Sequence, residues 1–356
     1  MIKIVKCQIF CIGRKRYMHM SDALLSLAVG GTMTAISTGT IAYSVKQIKT
    51  FDLDEKKIPM MGVMGAFVFA AQMINFTIPI TGSSGHIGGG VLLAALLGPF
   101  PALITLASVL LIQCLFFADG GLLALGANIF NMGVLVCLIA YPLIYRPLVK
   151  KVMTTKRITI ASILSVIVGL QLGSFFVVLE TFASGITKLP FIAFVSLMQP
   201  IHLAIGLIEG IITAGVLCYI FNTRREILDR SLQIAPIEKV SMKKTLAILI
   251  IATIFVGGVL SLYASSKPDG LEWSIERVTG TAEIESEKNI HFIIQKIQDK
   301  IAILPDYTFV EKDEIEEQLV GTSISGIVGG LLTMATAGTI GIVILIFKKI
   351  KKTADI

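Results

Sequence analysis

NFTIPITGSSGHIGGG, residues 75–90, is the stretch around which the rest of the predicted fold is arranged. It places one histidine in a glycine-rich turn between two strongly apolar segments. His86 is its only ionisable side chain. The glycines around it lack a Cβ, so the backbone can turn tightly and a helix can pack closely behind it. Such a histidine is either an ordinary loop residue bonded to a carbonyl or a ligand for something small, and this stretch leaves both interpretations open.

The composition places the chain in a membrane. Of its 356 residues 54% are hydrophobic and 15% are charged, and the mean hydropathy is +0.82. A soluble core of this size does not bury so much apolar surface. The formal charge of +7 comes from short basic blocks at the ends of apolar segments, so membrane lipid is an expected partner and nucleic acid is not. The five cysteines occur singly and carry little information on redox state or metal binding.

The apolar segments predict an all-α integral membrane protein. It is a polytopic helical bundle of about seven segments, followed by two further transmembrane helices that flank a small extracytoplasmic domain. The bundle segments are 22–45, 59–80, 87–98, 101–118, 128–145, 158–182 and 200–221, and the later spans are 245–265 and 321–347. Segment 87–98 is too short for about 30 Å of hydrocarbon, which needs about 20 residues, so we expect a short or tilted helix buried in protein.

The distribution of Lys and Arg predicts the orientation in the plasma membrane. Basic residues accumulate in the loops 46–58, 146–157 and 222–244 and at the C-terminal end, which places these on the cytoplasmic side. Met18, the His86 turn and the polar segment 266–320 are then extracytoplasmic.

Residues 1–17 do not fit this scheme. They hold basic residues on the outer side, and they have neither the apolar core nor the cleavage site of a signal peptide. We interpret 1–17 as an extension outside the working protein, 18–222 as the membrane core, 223–244 as a basic cytoplasmic linker and 245–350 as a second part, in which 266–320 is the extracytoplasmic domain.

A second histidine becomes important if the working chain starts at Met18. The free amine of Met18, the amide nitrogen of His19 and the His19 imidazole form two fused chelate rings in one plane, and His86 adds a fourth nitrogen. A planar set of nitrogen donors suits Ni(II) or Cu(II), with Co(II) possible, and disfavours Mg(II) and Ca(II). Because the amide must lose its proton, binding should weaken as the pH falls. The zinc-hydrolase motif H-E-x-x-H is absent.

Polar residues inside the apolar segments are further candidates, since such groups are costly in lipid and usually face the bundle interior. Four of them could orient the histidine turn as outer groups orient metal ligands: Asn75, Ser84, Asn128 and Asn131. Hydrogen bonding between helices is the alternative. His202 and Glu209 lie seven residues apart on one helix face and are weaker candidates, with a structural pair or a packing role as the alternative.

Segment 266–320 contains thirteen acidic and six basic residues. Its field could concentrate cations near the entrance. Alternatively it is a solvated domain, with a small core that begins with Leu271, Trp273, Ile275 and Val278 and a helix face formed by Ile293, Ile294, Ile297 and Ile301. We expect His291 at the surface.

Four motifs and one later segment carry a family resemblance. The motifs are M-H-M-S-D-A-L-L-S (18–26), T-G-S-S-G-H-I-G-G-G (81–90), L-G-A-N-I-F-N-M-G (125–133) and H-L-A-I-G-L-I-E-G-I-I-T-A (202–214). Together they resemble the CbiM/NikM family, the substrate-capture (S) subunits of energy-coupling factor cobalt and nickel importers. K-P-D-G-L-E-W (267–273) resembles the PDGLE motif of the CbiN/NikN accessory subunit, so residues 245–350 look like that subunit fused behind the core.

The resemblance implies a site and partners. In the family the ion is held by the amine of the first residue, the amide and imidazole of the second, and the histidine of the S-G-H turn, which correspond here to Met18, His19 and His86. The ion is cargo, Ni(II) or Co(II), and no cofactor is implied; cobalt uptake would serve cobalamin biosynthesis. The implied partners are a transmembrane coupling (T) subunit and two cytoplasmic ATPase subunits.

Two other classes of function stay open from the sequence. A membrane-embedded metalloenzyme would use the same nitrogens to activate water, but four planar donors leave little room for an open position and no carboxylate base adjoins His86. An assembly scaffold that binds no metal would leave His19 and His86 dispensable. The chain has no G-x-x-x-x-G-K-[ST] phosphate loop, so ATP hydrolysis by that chemistry is expected of partners.

Overall fold

The computed structural model describes residues 18–50, 57–232, 243–281, 289–309 and 315–354. The first seven helices are α1 Leu27–Thr50, α2 Lys57–Gln72, α3 Gly90–Leu97, α4 Pro99–Phe117, α5 Leu125–Lys150, α6 Thr155–Ser184 and α7 Phe191–Leu232. They are followed by α8 Lys243–Gly258, α9 Gly270–Thr279, α10 Asn289–Ile301 and α11 Ile315–Ala354. The predicted bundle of about seven segments, with two later long helices flanking a small region, is confirmed.

Six of the described helices are long and apolar enough to cross a membrane: α4, α5, α6, α7, α8 with the turn that follows it to Tyr263, and α11. The chain is therefore a multi-pass membrane protein. Helix α2 is apolar but has only 16 residues, and α1 is less apolar because of its threonines, serines and glycines. The short helix α3 is buried along its whole length and packs on α4, α5 and α7, as expected for a segment too short to span.

The predicted bounds of two segments are wrong. The second segment was expected to reach Ile80, but α2 ends at Gln72 and the chain then forms a hairpin of β1 Phe76–Thr77 and β2 Ser84–Gly85. The hairpin is antiparallel, and its turn contains Gly82 at φ +80°, a conformation that glycine adopts without strain.

The seventh segment was expected to start at Pro200 and to end at Phe221. Helix α7 begins at Phe191 and continues to Leu232, with Pro200 in its interior and a non-helical backbone at Arg224. The proline is accommodated because α7 packs along α6, the most extensive helix contact of the described chain. Part of the predicted linker 223–244 is therefore helical, and residues 233–242 lie outside the described residues.

The long helices of the second part pack on the core. Helices α8 and α11 contact each other, and both contact α2. Glycines of the two helices lie against each other, since a Cβ at Gly326 would lie 2.6 Å from the carbonyl oxygen of Gly257. Small residues at such crossings let two membrane helices meet backbone to backbone.

The region between these helices differs from the solvated domain with its own small core that was one of the two predicted alternatives. Leu271 and Ile275 of α9 are buried against Phe194 and Met198 of α7, so they extend the core of the bundle instead of forming one of their own. Exposed residues of α10 include Ile293, Ile297 and Ile301, about half of whose surfaces are accessible. The prediction of a surface position for His291 is wrong, because its side chain is buried and its Nε2 donates to the Leu25 carbonyl at 2.9 Å.

Gly326→Ala is expected to loosen the contact between α8 and α11. The added methyl group meets a backbone oxygen that cannot move aside, so we expect a loss of about 1–3 kcal/mol, the usual cost of overpacking. The measurement is thermal unfolding in detergent. Gly338→Ala, in the same helix with nothing within 4 Å of its Cβ position, is the matched control; equal melting temperatures for the two variants would contradict the described packing.

Candidate functional site

Two hydrogen bonds hold the start of the described chain inside the bundle. The Asn128 carboxamide accepts from the main-chain nitrogen of Met20 at 3.0 Å and donates to the Met20 carbonyl at 3.0 Å. Met18 and His19 are buried as a result. The His19 ring meets the His86 ring edge to face, with centroids 5.4 Å apart and planes at 81°. The structure thus brings the three predicted metal ligands together.

The ring of His86 faces two carbonyl groups. Its Nδ1 lies 3.2 Å from the Ile87 carbonyl oxygen, and its Nε2 lies 3.2 Å from that of Met18. Burial lowers the pKa of His86, and the neighbouring His19 lowers it further, which favours the neutral ring. A neutral imidazole has a single N–H, so it can donate to only one of the two carbonyls and faces the other with a lone pair. A cation between the ring and that carbonyl would relieve this contact.

The ring of His19 has one nitrogen bonded and one free. Its Nε2 lies 2.9 Å from Oε1 of Gln113, and its Nδ1 is buried without a hydrogen-bond partner among the described residues. Buried polar atoms in folded proteins nearly always have a partner, so an exception needs an explanation. A bound ion would supply the missing partner.

A buried carboxylate adjoins both Met18 and His19. Asp119 accepts from the main-chain nitrogen of Met18 through Oδ1 at 2.8 Å. Its Oδ2 accepts from the Tyr307 hydroxyl at 2.6 Å and lies 3.8 Å from Nε2 of His19. Tyr307 lies just before α11 and stacks on Phe117. The second part of the chain therefore reaches the neighbourhood of the two histidines.

A cavity of about 110 Å³ adjoins the histidines and extends into the bundle. It is large enough for a few water molecules, each of which occupies about 30 Å³ in the liquid. Among the described residues no three side chains of His, Cys, Asp or Glu lie close enough to hold a metal ion together. An ion at His19 and His86 would therefore need main-chain nitrogen as well.

The predicted asparagines of α5 bond to groups other than the His86 turn. Asn128 holds Met20, and Asn131 donates to Glu180 of α6 at 2.8 Å, while Oδ1 of Asn131 is buried without a partner in the described ranges. Asn131 lines the cavity.

Ser84 and Asn75 contact the second part of the chain. Ser84 donates from its hydroxyl to the Lys267 carbonyl at 2.8 Å, and the Asn75 carbonyl accepts from the Ser265 nitrogen at 2.7 Å. With the bond from Trp273 Nε1 to the Thr81 carbonyl at 3.0 Å, these contacts seat residues 265–273 on the hairpin.

His202 and Glu209 both line the cavity, but they bond to different groups. His202 Nδ1 donates to the Met198 carbonyl of its own helix at 2.8 Å. Glu209 is buried and accepts from the main-chain nitrogen of Gly89 at 2.9 Å through Oε1. Glu209 thus contacts the glycine run that follows His86.

Comparison with known families accounts for most of the chain. Residues 19–227 match the CbiM family, described as the cobalt uptake substrate-specific transmembrane region, and residues 243–345 match the PDGLE domain. The chain belongs to the CbiM family. The resemblance of both parts is thereby confirmed, and the chain is a transport protein of this family, not an enzyme.

Relatives of this CbiM family member extend over one or both parts. A protein of Archaeoglobus fulgidus, provisionally named fused nickel transport protein NikMN, is 31% identical over 318 residues, which are 89% of this chain and 96% of the relative. A provisionally named metal transport protein of Haloquadratum walsbyi is 35% identical over 217 residues, 59% of this chain and 93% of the relative. A solved structure of a transition metal transporter matches with a TM-score of 0.52 at 27% identity, covering 61% of this chain and 100% of that one.

Reasoning from the sequence missed four residues near the histidines of this CbiM chain: Gln72, Gln113, Asp119 and Tyr307. Both glutamines stand in strongly apolar helices, where a polar residue costs free energy unless it has a partner, and that signal was available. Asp119 begins a D-G-G sequence typical of a turn (119–121), where an acidic residue gives no signal of a site. Tyr307 has no local signal, because its contact with Asp119 arises from tertiary packing.

Asp269→Asn is expected to stabilise the protein, and more so at high pH. Burial, and then the nearby Glu272 charge, raises the pKa of Asp269 well above its usual range. A raised pKa means that the ionised carboxylate disfavours the folded state. The stability of the parent protein is therefore highest below the unfolded-state pKa of Asp269, where the group is protonated in both states, and part of it is lost as the pH rises through the folded-state pKa. Asparagine keeps the N-cap bond that Asp269 accepts from the Glu272 nitrogen at 2.9 Å.

The measurement is the melting temperature in detergent at pH 5 and pH 8 for both proteins. The gain from asparagine should be larger at pH 8. A gain that is the same at both pH values would contradict the buried state of this carboxyl group.

Proposed function

We propose that this chain captures Ni(II) or Co(II) for import, as the metal-binding membrane subunit of an ATP-driven energy-coupling factor transporter. The observation that carries the proposal is that Nδ1 of His19 is buried beside the ring of His86 with no hydrogen-bond partner among the described residues. Met18 lines the cavity next to both histidines. Membership of the CbiM family and the names of the relatives support the class of ion.

The donors of the proposed chelate are four nitrogens. They are the α-amine of Met18, the deprotonated amide nitrogen of His19, Nδ1 of His19 and a ring nitrogen of His86. Imidazole and other nitrogen donors in a planar arrangement suit late first-row ions. Within the described ranges no three side chains of His, Cys, Asp or Glu form a cluster, which fits this chemistry because an oxygen-rich site would favour Mg(II) or Ca(II).

In this proposal Asp119 positions the nitrogen of Met18. Its Oδ1 accepts from the Met18 nitrogen, which becomes an α-amine if the working chain starts there. A buried carboxylate beside the site also supplies negative charge to balance that of a divalent ion. Residues 1–17 lie outside the described residues, and we retain the proposal that they are absent from the working protein.

The proposed energy source and orientation follow the family resemblance. A transmembrane coupling subunit and two cytoplasmic ATPase subunits would drive import across the plasma membrane. Met18 and residues 266–320 would face outward and the C-terminus would face the cytoplasm. The contacts of Ser84 with Lys267 and of Asp119 with Tyr307 support a shared side for Met18, the His86 turn and the second part of the chain, since Lys267 and Tyr307 both belong to that part.

His19→Ala and His86→Ala are each expected to abolish stoichiometric metal binding. Each removes one imidazole from a set of four donors, so we expect a loss of affinity well beyond the 10–100-fold that is usual for residues outside the ligand set. The measurement is calorimetric titration of purified protein starting at Met18 with Ni(II) and Co(II). His202→Ala, which removes another histidine that lines the same cavity, is the matched control and should bind one ion. Stoichiometric binding that survives both ligand substitutions would defeat the site assignment.

A chain that starts at Met18 is expected to bind Ni(II), and a chain that keeps residues 1–17 is not. The extension converts the Met18 amine into a peptide nitrogen, which is a far weaker donor unless it loses its proton. N-terminal sequencing of the membrane-inserted protein, together with its metal content, tests this. Unimpaired binding with all seventeen upstream residues present would exclude the amine as a ligand.

A further inference from the structure

We infer that a one-way chain of hydrogen bonds, ending at the Glu209 carboxylate, holds His19 in the tautomer whose Nδ1 is free to bind the ion. The inference rests on the proposed function and adds three positioning residues to it: Gln113, Gln72 and Glu209. All three lie on different helices of the bundle, α4, α2 and α7.

The first half of the chain joins His19 to two glutamines. His19 Nε2 lies 2.9 Å from Oε1 of Gln113. Gln113 in turn donates from Nε2 to Oε1 of Gln72 at 2.8 Å. Both glutamine side chains are fully buried, so neither has water as a competing partner.

The second half runs through a peptide group of the glycine run. Gln72 donates from Nε2 to the Gly88 carbonyl at 2.9 Å. The peptide that begins with this carbonyl ends in the Gly89 nitrogen, which donates to Oε1 of Glu209 at 2.9 Å. Gln72 and Glu209 therefore hold the two ends of one peptide group.

The Gly88–Gly89 peptide group fixes which atom donates and which accepts in each hydrogen bond of this chain. The oxygen and nitrogen of a glutamine amide can be exchanged by a flip of the side chain, so their assignment depends on the surrounding network. A peptide cannot flip its polarity in this way: the Gly88 carbonyl only accepts. Gln72 must present its nitrogen to that carbonyl, and its oxygen then accepts from Gln113. Gln113 is left with its oxygen toward His19, so Nε2 of His19 must carry the proton.

This protonation decides what His19 can do. A neutral imidazole with a proton on Nε2 has its lone pair on Nδ1, and a metal ion binds that lone pair. Nδ1 is also the ring nitrogen nearest to the main chain, so it can share an ion with the main-chain nitrogens of Met18 and His19. The opposite tautomer would direct an N–H at the ion. Mutation of the groups that fix the tautomer of a ligating histidine typically lowers the metal affinity about 10–100-fold.

Glu209 is the last acceptor of the hydrogen-bond chain, and it also contacts the glycine run that follows His86. It is the acceptor at the end of successive polarised bonds, which strengthen one another in a low-dielectric interior. The peptide it holds follows His86 closely in sequence, so one carboxylate helps to place both histidines. A role in helix packing alone would not depend on which nitrogen of His19 carries the proton, and this difference can be measured.

The test measures the tautomer without metal and the affinity with it. Metal-free protein starting at Met18, labelled with ¹⁵N-histidine and placed in lipid, is studied by solid-state NMR, with the His19 signals assigned by their loss in His19→Ala. We expect the Nε2–H form in the parent protein. In Gln113→Leu we expect that preference to be lost and the Ni(II) affinity to fall about 10–100-fold.

Two variants separate this role from general packing. Gln171→Leu removes a comparable hydrogen bond between helices, from Gln171 Nε2 to the Gln199 carbonyl at 2.9 Å, and should leave both measurements unchanged. Glu209→Gln keeps an oxygen acceptor for Gly89 and should retain the tautomer, whereas Glu209→Leu should weaken binding.

Three results would overturn the inference: an Nδ1–H form in the parent protein, an unchanged tautomer and affinity in Gln113→Leu, or equal losses in Gln113→Leu and Gln171→Leu. The parent spectrum decides the matter even if a variant fails to fold. A parent protein that shows the Nε2–H form but binds no Ni(II) would contradict the proposed function and not the hydrogen-bond chain.

Discussion

The paired hydrogen bonds between the Asn128 carboxamide and the main chain of Met20 are the constraint on which the site depends. A polar chain segment enters the apolar bundle only if its main-chain groups find partners there, because unsatisfied groups cost several kcal/mol in a membrane. Asn128 satisfies both groups of Met20. Met18 and His19 are thereby fixed against Asp119, Gln113 and the His86 turn.

The large features of the fold can be predicted from the lengths of the apolar segments in the sequence. Apolar length predicts the long helices, and the shortness of segment 87–98 predicts the buried helix α3. His19 and His86 can be singled out because the chain has only four histidines. His19 directly follows Met18, the proposed first residue, and His86 lies in a glycine-rich turn. The family motifs add the expectation that these two distant residues meet.

The rest depends on tertiary contacts that no local pattern encodes. The end of α2 at Gln72 reflects the pairing of Phe76 with Gly85, which competes with helix over an otherwise apolar stretch. His291 closely follows a polar stretch of the sequence, E-S-E-K-N (285–289), yet the packing of α10 on the core buries it. The same packing leaves isoleucines exposed, so amphipathic spacing identified the helix but not the face that it buries.

Residues 265–273 make the two parts of the chain one structural unit at this end of the bundle. Their hydrogen bonds to the hairpin place Asp269 and Leu271 in the wall of the cavity that also holds His86. The relative from Archaeoglobus fulgidus matches across both parts, so the fused arrangement is shared.

Asp119 has two carboxylate oxygens, and each part of the chain uses one of them: Met18 of the core contacts Oδ1, and Tyr307 of the second part contacts Oδ2. Two contacts that share one carboxylate group influence each other, and the free energy of that coupling is the same in both directions. The position of Tyr307 and the hydrogen bonding of the Met18 nitrogen are thus linked through a single acidic side chain.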